Sequence, residues 1–390
     1  MTTNVRVALV PRDGIFCKDG RGWQTSSAGR GYALDWPWPS TILGALRTAW
    51  GRLEEHRTKT AFGANEWRTR TGLQLTRTLT LRRPFNAYWT SDHVVWPVPS
   101  DALWVQDRGE VVRLNPTPSP VPTLGRDDDA IRESLWRPTV EFEGKPLARP
   151  RWLSAQDFAS WLAGVSVSAH SDTAVPSPTK RRQTRIGIRP DELTAGDGAL
   201  FSHEVLETLE RCAEWAIGAE VTLPSGSFPP VGALGSDSRT VKIEPIPPTL
   251  FDPPQRVIDS FSDGMFGMRL VAVTPLCFEG GWLPDGIHVT EGLYQGTLKP
   301  LEGELILRAA FVGRPVHVSG WDMAVQAPKP TSRMAPPGSV FFIQRADRKP
   351  FTKADARSMW LARLGGRTDE GFGLVVPGTW NLPKSNHHEN

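Results

Sequence analysis

Glycine and proline punctuate this chain throughout, at 36 and 35 of its 390 residues. Proline removes a backbone donor and fixes φ, while glycine loses the most freedom when ordered into a helix or strand. A chain interrupted this often folds into short strands and loops with few long helices. The apolar share of 39% and charged share of 22% are those of a globular protein, which excludes a disordered tail or a coiled coil. At this length two or three domains are expected. No apolar run approaches the ~18 residues of a membrane-spanning helix. Met1-Thr2-Thr3-Asn4-Val5-Arg6-Val7 lacks the apolar stretch of a signal peptide. The expectation is a cytoplasmic chain with no membrane partner.

Local pattern places the elements. Val5-Arg6-Val7-Ala8-Leu9-Val10 reads as a strand. Residues 11–39 form a long loop holding Gly14, Gly20, Gly22, Gly29 and Gly31 with Arg12, Lys18, Arg21 and Arg30. A helix follows, with Ser40 or Thr41 as its cap and Ile42, Leu46, Ala49, Trp50 and Leu53 as a core stripe. Leu73, Leu75, Leu79 and Leu81 alternate with polar residues as one amphipathic strand. Short strands are expected at 94–96, 103–105 and 111–114, and a proline-rich loop at 115–122. Ser154 caps a short helix to Leu162. Further strands fall at 215–223, 268–273, 304–312, 315–318 and 339–344, and a last helix at 353–364. With about four helices of 10–15 residues and no helix–strand alternation, the fold class is α+β rather than doubly wound.

The chemistry-bearing residues are sparse. Cys17, Cys212 and Cys277 are far apart and never in a C-x-x-C pair, so they read as small buried apolar residues, not a disulfide framework or zinc site. Asp127-Asp128-Asp129 reads as a solvated turn, since three adjacent side chains do not converge on one ion. There is no phosphate loop, no G-x-S-x-G elbow and no H-E-x-x-H. The eight histidines are scattered apart from His387-His388 in the polar tail. No cofactor, metal or catalytic residue is expected.

Nucleic-acid contact remains. Net charge is only +3, but ten lysines accompany thirty-five arginines, and guanidinium suits bidentate phosphate contact and stacking on bases. Lys180-Arg181-Arg182-Gln183-Thr184-Arg185-Ile186-Gly187-Ile188-Arg189 carries five cations and no acid. Such a run repels itself unless a polyanion or solvent screens it, so Lys180, Arg181, Arg182 and Arg185 are expected to grip RNA from a hairpin or loop. Gly371, Gly373 and Gly378 lie between the last helix and last strand, where backbone N–H groups form an anion nest or a tight turn. The helix N-terminus at Ser40 and Thr41, with Lys18 and Arg21 nearby, offers phosphate contacts. Trp36 and Trp38, flanking Pro37, are the aromatics placed to stack on a base or a partner.

An ordered series of segments resembles one family. Pro11-Arg12-Asp13-Gly14-Ile15-Phe16-Cys17-Lys18-Asp19-Gly20-Arg21 and Pro39-Ser40-Thr41-Ile42-Leu43-Gly44-Ala45-Leu46-Arg47 are similar to the N-terminus of the 5′-tag-binding subunit of type III-B CRISPR (Cmr) effectors. The likeness continues through Trp96-Pro97-Val98-Pro99-Ser100-Asp101-Ala102-Leu103, Arg185-Ile186-Gly187-Ile188 and Gly232-Ala233-Leu234-Gly235 with Arg239. Val318-Ser319-Gly320-Trp321-Asp322, Pro337-Gly338-Ser339-Val340-Phe341-Phe342 and the closing glycine segment complete it. The resemblance implies tandem ferredoxin-like (RRM-like) RAMP domains with inserted loops and hairpins. The division is expected at 1–225 and 226–390, with the glycine-rich loop in the second domain. It implies guide crRNA binding without cleavage, in antiviral defence. The partners would be the large polymerase-like subunit and the backbone RAMP subunits. Arg12, Gly235, Arg239, Gly371 and Gly373 join the RNA-facing residues on this basis. The rival reading is a RAMP endoribonuclease that processes precursor crRNA, which needs a general base; His56 is its one candidate.

Overall fold

The computed structural model describes residues 3–18, 30–63, 65–67, 71–118, 135–139, 144–169, 174–290, 292–322 and 327–383. Arg21, the Asp127-Asp128-Asp129 turn and His387-His388 lie outside the described residues.

The first half is an eight-stranded sheet with one long helix. Its elements are β1 (Thr3–Pro11), α1 (Pro39–Thr58), β2 (Gln74–Pro84), β3 (Val94–Pro97), β4 (Trp152–Leu153), α2 (Ala155–Leu162) and β5 (Ala174–Val175). A hairpin of β6 (Thr179–Ile188) and β7 (Ala195–Glu207) follows, then β8 (Ala213–Leu223), β9 (Val231–Leu234) and β10 (Arg239–Pro245). The sheet order is β5-β4-β3-β2-β8-β1-β10-β9. β1, α1 and β2 form a split β-α-β unit with β8 inserted between the two strands. β9 and β10 pair in this same sheet, beyond residue 225.

The second half repeats the strand order. After α3 (Gln255–Asp259) come β11 (Gly267–Ala272), β12 (Ile287–Thr290), β13 (Leu293–Gly296), β14 (Leu305–Phe311), β15 (Val340–Arg345), α4 (Lys353–Met359), β16 (Ala362–Arg363) and β17 (Leu374–Trp380). Their order is β12-β13-β14-β15-β11-β17-β16. Both sheets are antiparallel among the described residues. The molecule is mixed α and β with few helices, as the sequence leads one to expect. The helices depart from the expected 10–15 residues: α1 has 20, while α2, α3 and α4 have 8, 5 and 7.

Local chemistry explains the elements and several corrections. Pro39 occupies the first turn of α1, where its missing N–H costs nothing. The cap is Trp38 with no side-chain bond, so Ser40 and Thr41 are first-turn residues rather than caps. Ile42, Leu43, Leu46, Ala49 and Trp50 are buried against Leu9, Ile217 and Val221 of the sheet. Ser154 does cap α2, accepting from the Asp157 N–H at 3.1 Å. α4 stops at Met359 rather than Leu364, because Trp360 leaves the helical region with an extended ψ of 114°. Asn115–Thr117, expected as loop, pairs as a short strand with Arg137–Thr139.

The leucine alternation of β2 does not make one face. The register against β8 slips, pairing Arg77 with Glu220 and Leu75 with Val221, so one residue of β2 is extra. Such a bulge moves the following side chains to the opposite face. Leu75 therefore enters the α1 core, while Leu79 and Leu81 enter a second core. That second core is shared: Trp96, Phe158 and Trp161 of the first half meet Val271, Phe342, Leu374 and Trp360 of the second.

A buried charge bolts the halves together. The Arg269 guanidinium on β11 donates to the Asp101 carboxylate and to the Trp161 carbonyl, and the Trp161 indole donates to Asp101 Oδ1 at 2.9 Å. Asp101 and Arg269 are 0% and 1% exposed.

Candidate nucleic-acid interface

The short strand Arg30–Gly31 runs parallel to β7, and Lys18 bridges to Ala33 with Leu34 N–H bonded to the Cys17 carbonyl at 2.8 Å. Trp36 then anchors in a cluster with Trp152 and Trp215, at ring distances of 5.9 and 5.6 Å. These ties hold the segment leading into α1 as the lip of a cleft of about 540 Å³. Its floor includes Thr78, Thr80 and Val95 of β2 and β3, and its far wall is Pro275, Pro336 and Pro337 from the second half. Arg149, Arg151 and Lys180 supply cations and the half-buried Trp38 supplies aromatic surface, while Trp36 and Trp152 back the lining from the core.

Asp35 organises the charges. Its Oδ2 lies 2.8 Å from Arg151 Nη1 and its Oδ1 lies 2.5 Å from Lys180 Nζ. Burial pushes the Asp35 carboxyl up, but the Lys180 hydrogen bond and the two positive charges outweigh it and hold the pKa below its ordinary value. Burial lowers the Arg151 pKa, and Asp35 opposes that shift. Arg149 donates to the Val98 carbonyl and, at 3.4 Å, to Ser100 Oγ. Arg151 Nε and Trp152 Nε1 are buried with no hydrogen-bond partner in the protein. The cleft thus gathers three cations, Arg149, Arg151 and Lys180, against the carboxylates of Asp35 and Glu204, beside the half-buried Trp38. That is the chemistry for an acceptor-rich anion carrying planar groups.

The basic run splits by the period of two that a strand imposes. β6 pairs Lys180 with Leu206, Arg181 with Val205, Arg182 with Glu204 and Arg185 with Phe201. Lys180 and Arg182 therefore share one face, with Lys180 and Glu204 in the cleft wall. Arg181 and Arg185 lie on the other, bound to Glu207 at 2.5 Å and Asp237 at 3.1 Å. The expectation of an unneutralised run is corrected: Asp35, Glu207 and Asp237 reach it from elsewhere in the chain. Arg182 is exposed and makes no ion pair among the described residues.

Other expected site residues fall elsewhere. Arg239 is 7% exposed and held by Asp13 at 2.5 Å and Gln183 at 2.9 Å. Gly235 has φ 76°, and a Cβ there would stand 2.5 Å from the Phe16 carbonyl oxygen. Arg12 pairs with Glu214 at 2.9 Å. Lys18 is half-buried. Ser40 and Thr41 are half-buried in α1, and the Thr41 N–H already bonds to the Trp38 carbonyl at 2.9 Å. His56 is exposed in the last turn of α1. Cys212 is exposed and Cys277 half-buried, against the expectation of three buried thiols; Cys17 alone is buried as expected.

The glycine loop is not an open anion nest. Gly371 and Gly373 are buried, with φ 88° and 86°. Their N–H groups bond to the Thr368 and Pro275 carbonyls at 3.3 and 3.0 Å. A Cβ on Gly373 would meet the Leu364 carbonyl oxygen at 2.3 Å, and Gly378 lies inside β17. The segment is a packed turn. Trp36 is likewise core at 8% exposed, and Trp38 packs half-buried against Val318, Met334 and Phe372.

Sequence reasoning passed over Asp35, Arg149, Arg151 and Trp152. The stretch Arg149-Pro150-Arg151-Trp152 carried the signal: two guanidiniums beside an indole, with proline stiffening the chain.

A chain in the cryo-EM structure of the Type III-B Cmr-beta bound to cognate target RNA has a TM-score of 0.43 to this one at 13% identity, with 86% of each chain covered. A chain in the complex bound to cognate target RNA and AMPPnP, state 1, gives 0.42, 13% and 86%. No curated protein sequence matches. The family model described as CRISPR-associated protein (Cas_Cmr3) matches residues 7–380, nearly the whole chain. The chain belongs to the Cas_Cmr3 family of CRISPR-associated proteins.

Proposed function

We propose that this chain is a non-catalytic RNA-binding subunit of a type III-B CRISPR effector. It holds the 5′ repeat-derived tag of the guide crRNA and docks the large polymerase-like subunit and the backbone RAMP subunits. The observation that carries the reading is the cleft of a Cas_Cmr3 family member in which Arg149, Arg151 and Lys180 lie beside the half-buried Trp38. Single-stranded RNA is read through splayed bases on flat walls and backbone contacts to cations.

The fold reading is that both halves are edited ferredoxin-like RAMP domains. In each, the four central strands stand in the order second, third, first, fourth: β2-β8-β1-β10 and β14-β15-β11-β17. The first half carries its helix, α1, after the first strand, and the second half carries α4 before the last. On this reading the units divide between Pro245 and Gly267 rather than at 225. The compartment is the cytoplasm.

The test is binding of the full chain to a guide RNA with its 5′ tag and to the same RNA lacking it. Replacing Arg149, Arg151 and Lys180 by Ala should flatten the salt dependence of log K by roughly 0.7 per lost contact. An unchanged slope removes the cleft from the RNA face. The endoribonuclease rival predicts cleavage in EDTA leaving a 2′,3′-cyclic phosphate. Among the described residues no histidine lines the cleft, so intact RNA is expected.

A further inference from the structure

We propose that Asp35 is a built-in stand-in for an RNA phosphate, occupying the Arg151–Lys180 clamp in the free subunit and yielding it when a phosphodiester enters the cleft. The inference rests on the reading of the cleft as the RNA site. Three observations carry it. First, both carboxylate oxygens are engaged, one by each cation, at 2.8 and 2.5 Å. A phosphodiester also offers two non-bridging oxygens, so it can replace both contacts together. Second, the Asp35 side chain is 56% exposed while Lys180 and Arg151 are 34% and 36% exposed. The carboxylate sits on the open side of its partners, and its departure uncovers them without disturbing the core. Third, the cleft holds a further cation that Asp35 does not engage: Arg149 lines it and donates to the Val98 carbonyl and to Ser100 Oγ. A ligand with more acceptors than a carboxylate is better matched to this set.

The lip that carries Asp35 stays in place. Its fixed points are Trp36 in the tryptophan cluster and Ala33, whose carbonyl accepts from Lys180 Nζ at 3.0 Å. Only the Asp35 side chain must rotate away. In the empty subunit the internal carboxylate keeps two cations from attracting unrelated polyanions, so it raises selectivity at some cost in affinity.

The test measures affinity of the full chain for a fluorescein-labelled, single-stranded RNA carrying the tag, by fluorescence anisotropy at fixed salt. The isosteric Asp35→Asn should tighten binding by about 3- to 30-fold, as expected from losing two partly exposed ion pairs that compete with the ligand. Asp35→Glu, which keeps the charge, should stay near wild type, and Arg151→Ala with Lys180→Ala should weaken binding in either background. Unchanged or weakened binding by Asp35→Asn, with the double variant still weak, overturns the stand-in role while leaving the cleft as the RNA site. Equal tightening by Asp35→Glu also overturns it, because geometry rather than charge would be the cause. If the double variant binds like wild type, the cleft reading fails and the inference falls with it.

Discussion

Replacing Asp101 by Asn strikes the joint between the two halves. The carboxylate is fully buried and takes the Arg269 guanidinium on one oxygen and the Trp161 indole N–H at 2.9 Å on the other. Arg113 stacks over the Trp161 ring at 3.7 Å and donates to the Trp161 carbonyl at 2.9 Å. Burial, then the Arg269 charge, push its pKa down to about 9. One carboxylate thus serves two guanidiniums, and its neutralisation leaves Arg269 charged in a place water does not reach. Breaking a buried pair from one side costs about 3–5 kcal/mol. Arg269→Met should cost a similar amount, since it strands the carboxylate. The double variant Asp101→Asn with Arg269→Met removes both charges and should cost clearly less than the two single losses added together. Urea unfolding followed by tryptophan fluorescence reads the four corners of this cycle. Additive losses, or a single loss below ~1 kcal/mol, would refute the argument that the pair is dry and mutually dependent.

Gly373→Ala should destabilise the fold, because a left-handed φ for a residue with a Cβ costs about 1–3 kcal/mol and the Leu364 carbonyl adds a clash; a variant melting like wild type would show the turn relaxes freely. His203 is 1% exposed between Phe16 and Phe201, with neither ring nitrogen hydrogen-bonded. Burial, then the Arg185 charge, lower its pKa, with Asp237 opposing. The unfolded chain therefore takes up the proton more readily than the folded one. Stability is full above the unfolded value of about 6.5 and falls as pH drops below it, and His203→Phe should flatten that slope in melts between pH 7.5 and 5. On β6, Lys180→Ala should reduce the salt slope of RNA binding by about 0.7 while Arg181→Ala, on the opposite face, leaves it unchanged; the reverse result would invert the assignment of faces.

Much of this molecule can be read from local pattern, and the failures share a cause. The α1 stripe from Ile42 to Trp50 is set by a 3.6-residue period within one segment, and it is buried as expected. The β2 leucines were visible too, but the bulge that sends Leu75 and Leu79 to different cores depends on register against β8, some 140 residues away. The basic run was visible as charge. Its neutralisation was not, because Asp35 and Asp237 come from distant loops that only the fold brings near. The glycines at 371 and 373 marked a turn, yet whether their N–H groups meet solvent or the Pro275 carbonyl is a tertiary fact. Asp35 was missed for the same reason: a lone acid in a loop gains meaning only from the two cations that converge on it.

Occupation of the cleft by the guide's tag is the point most directly open to test. The measurement is the affinity of the full chain for tagged and tagless guide RNA of equal length, in wild type and in the Arg149→Ala, Arg151→Ala, Lys180→Ala variant. Wild type should bind the tagged RNA more tightly, and the variant should lose that preference and show a salt slope lower by roughly 2 for three lost phosphate contacts. A variant that keeps both the preference and the slope would place the tag elsewhere and contradict the assignment of this cleft.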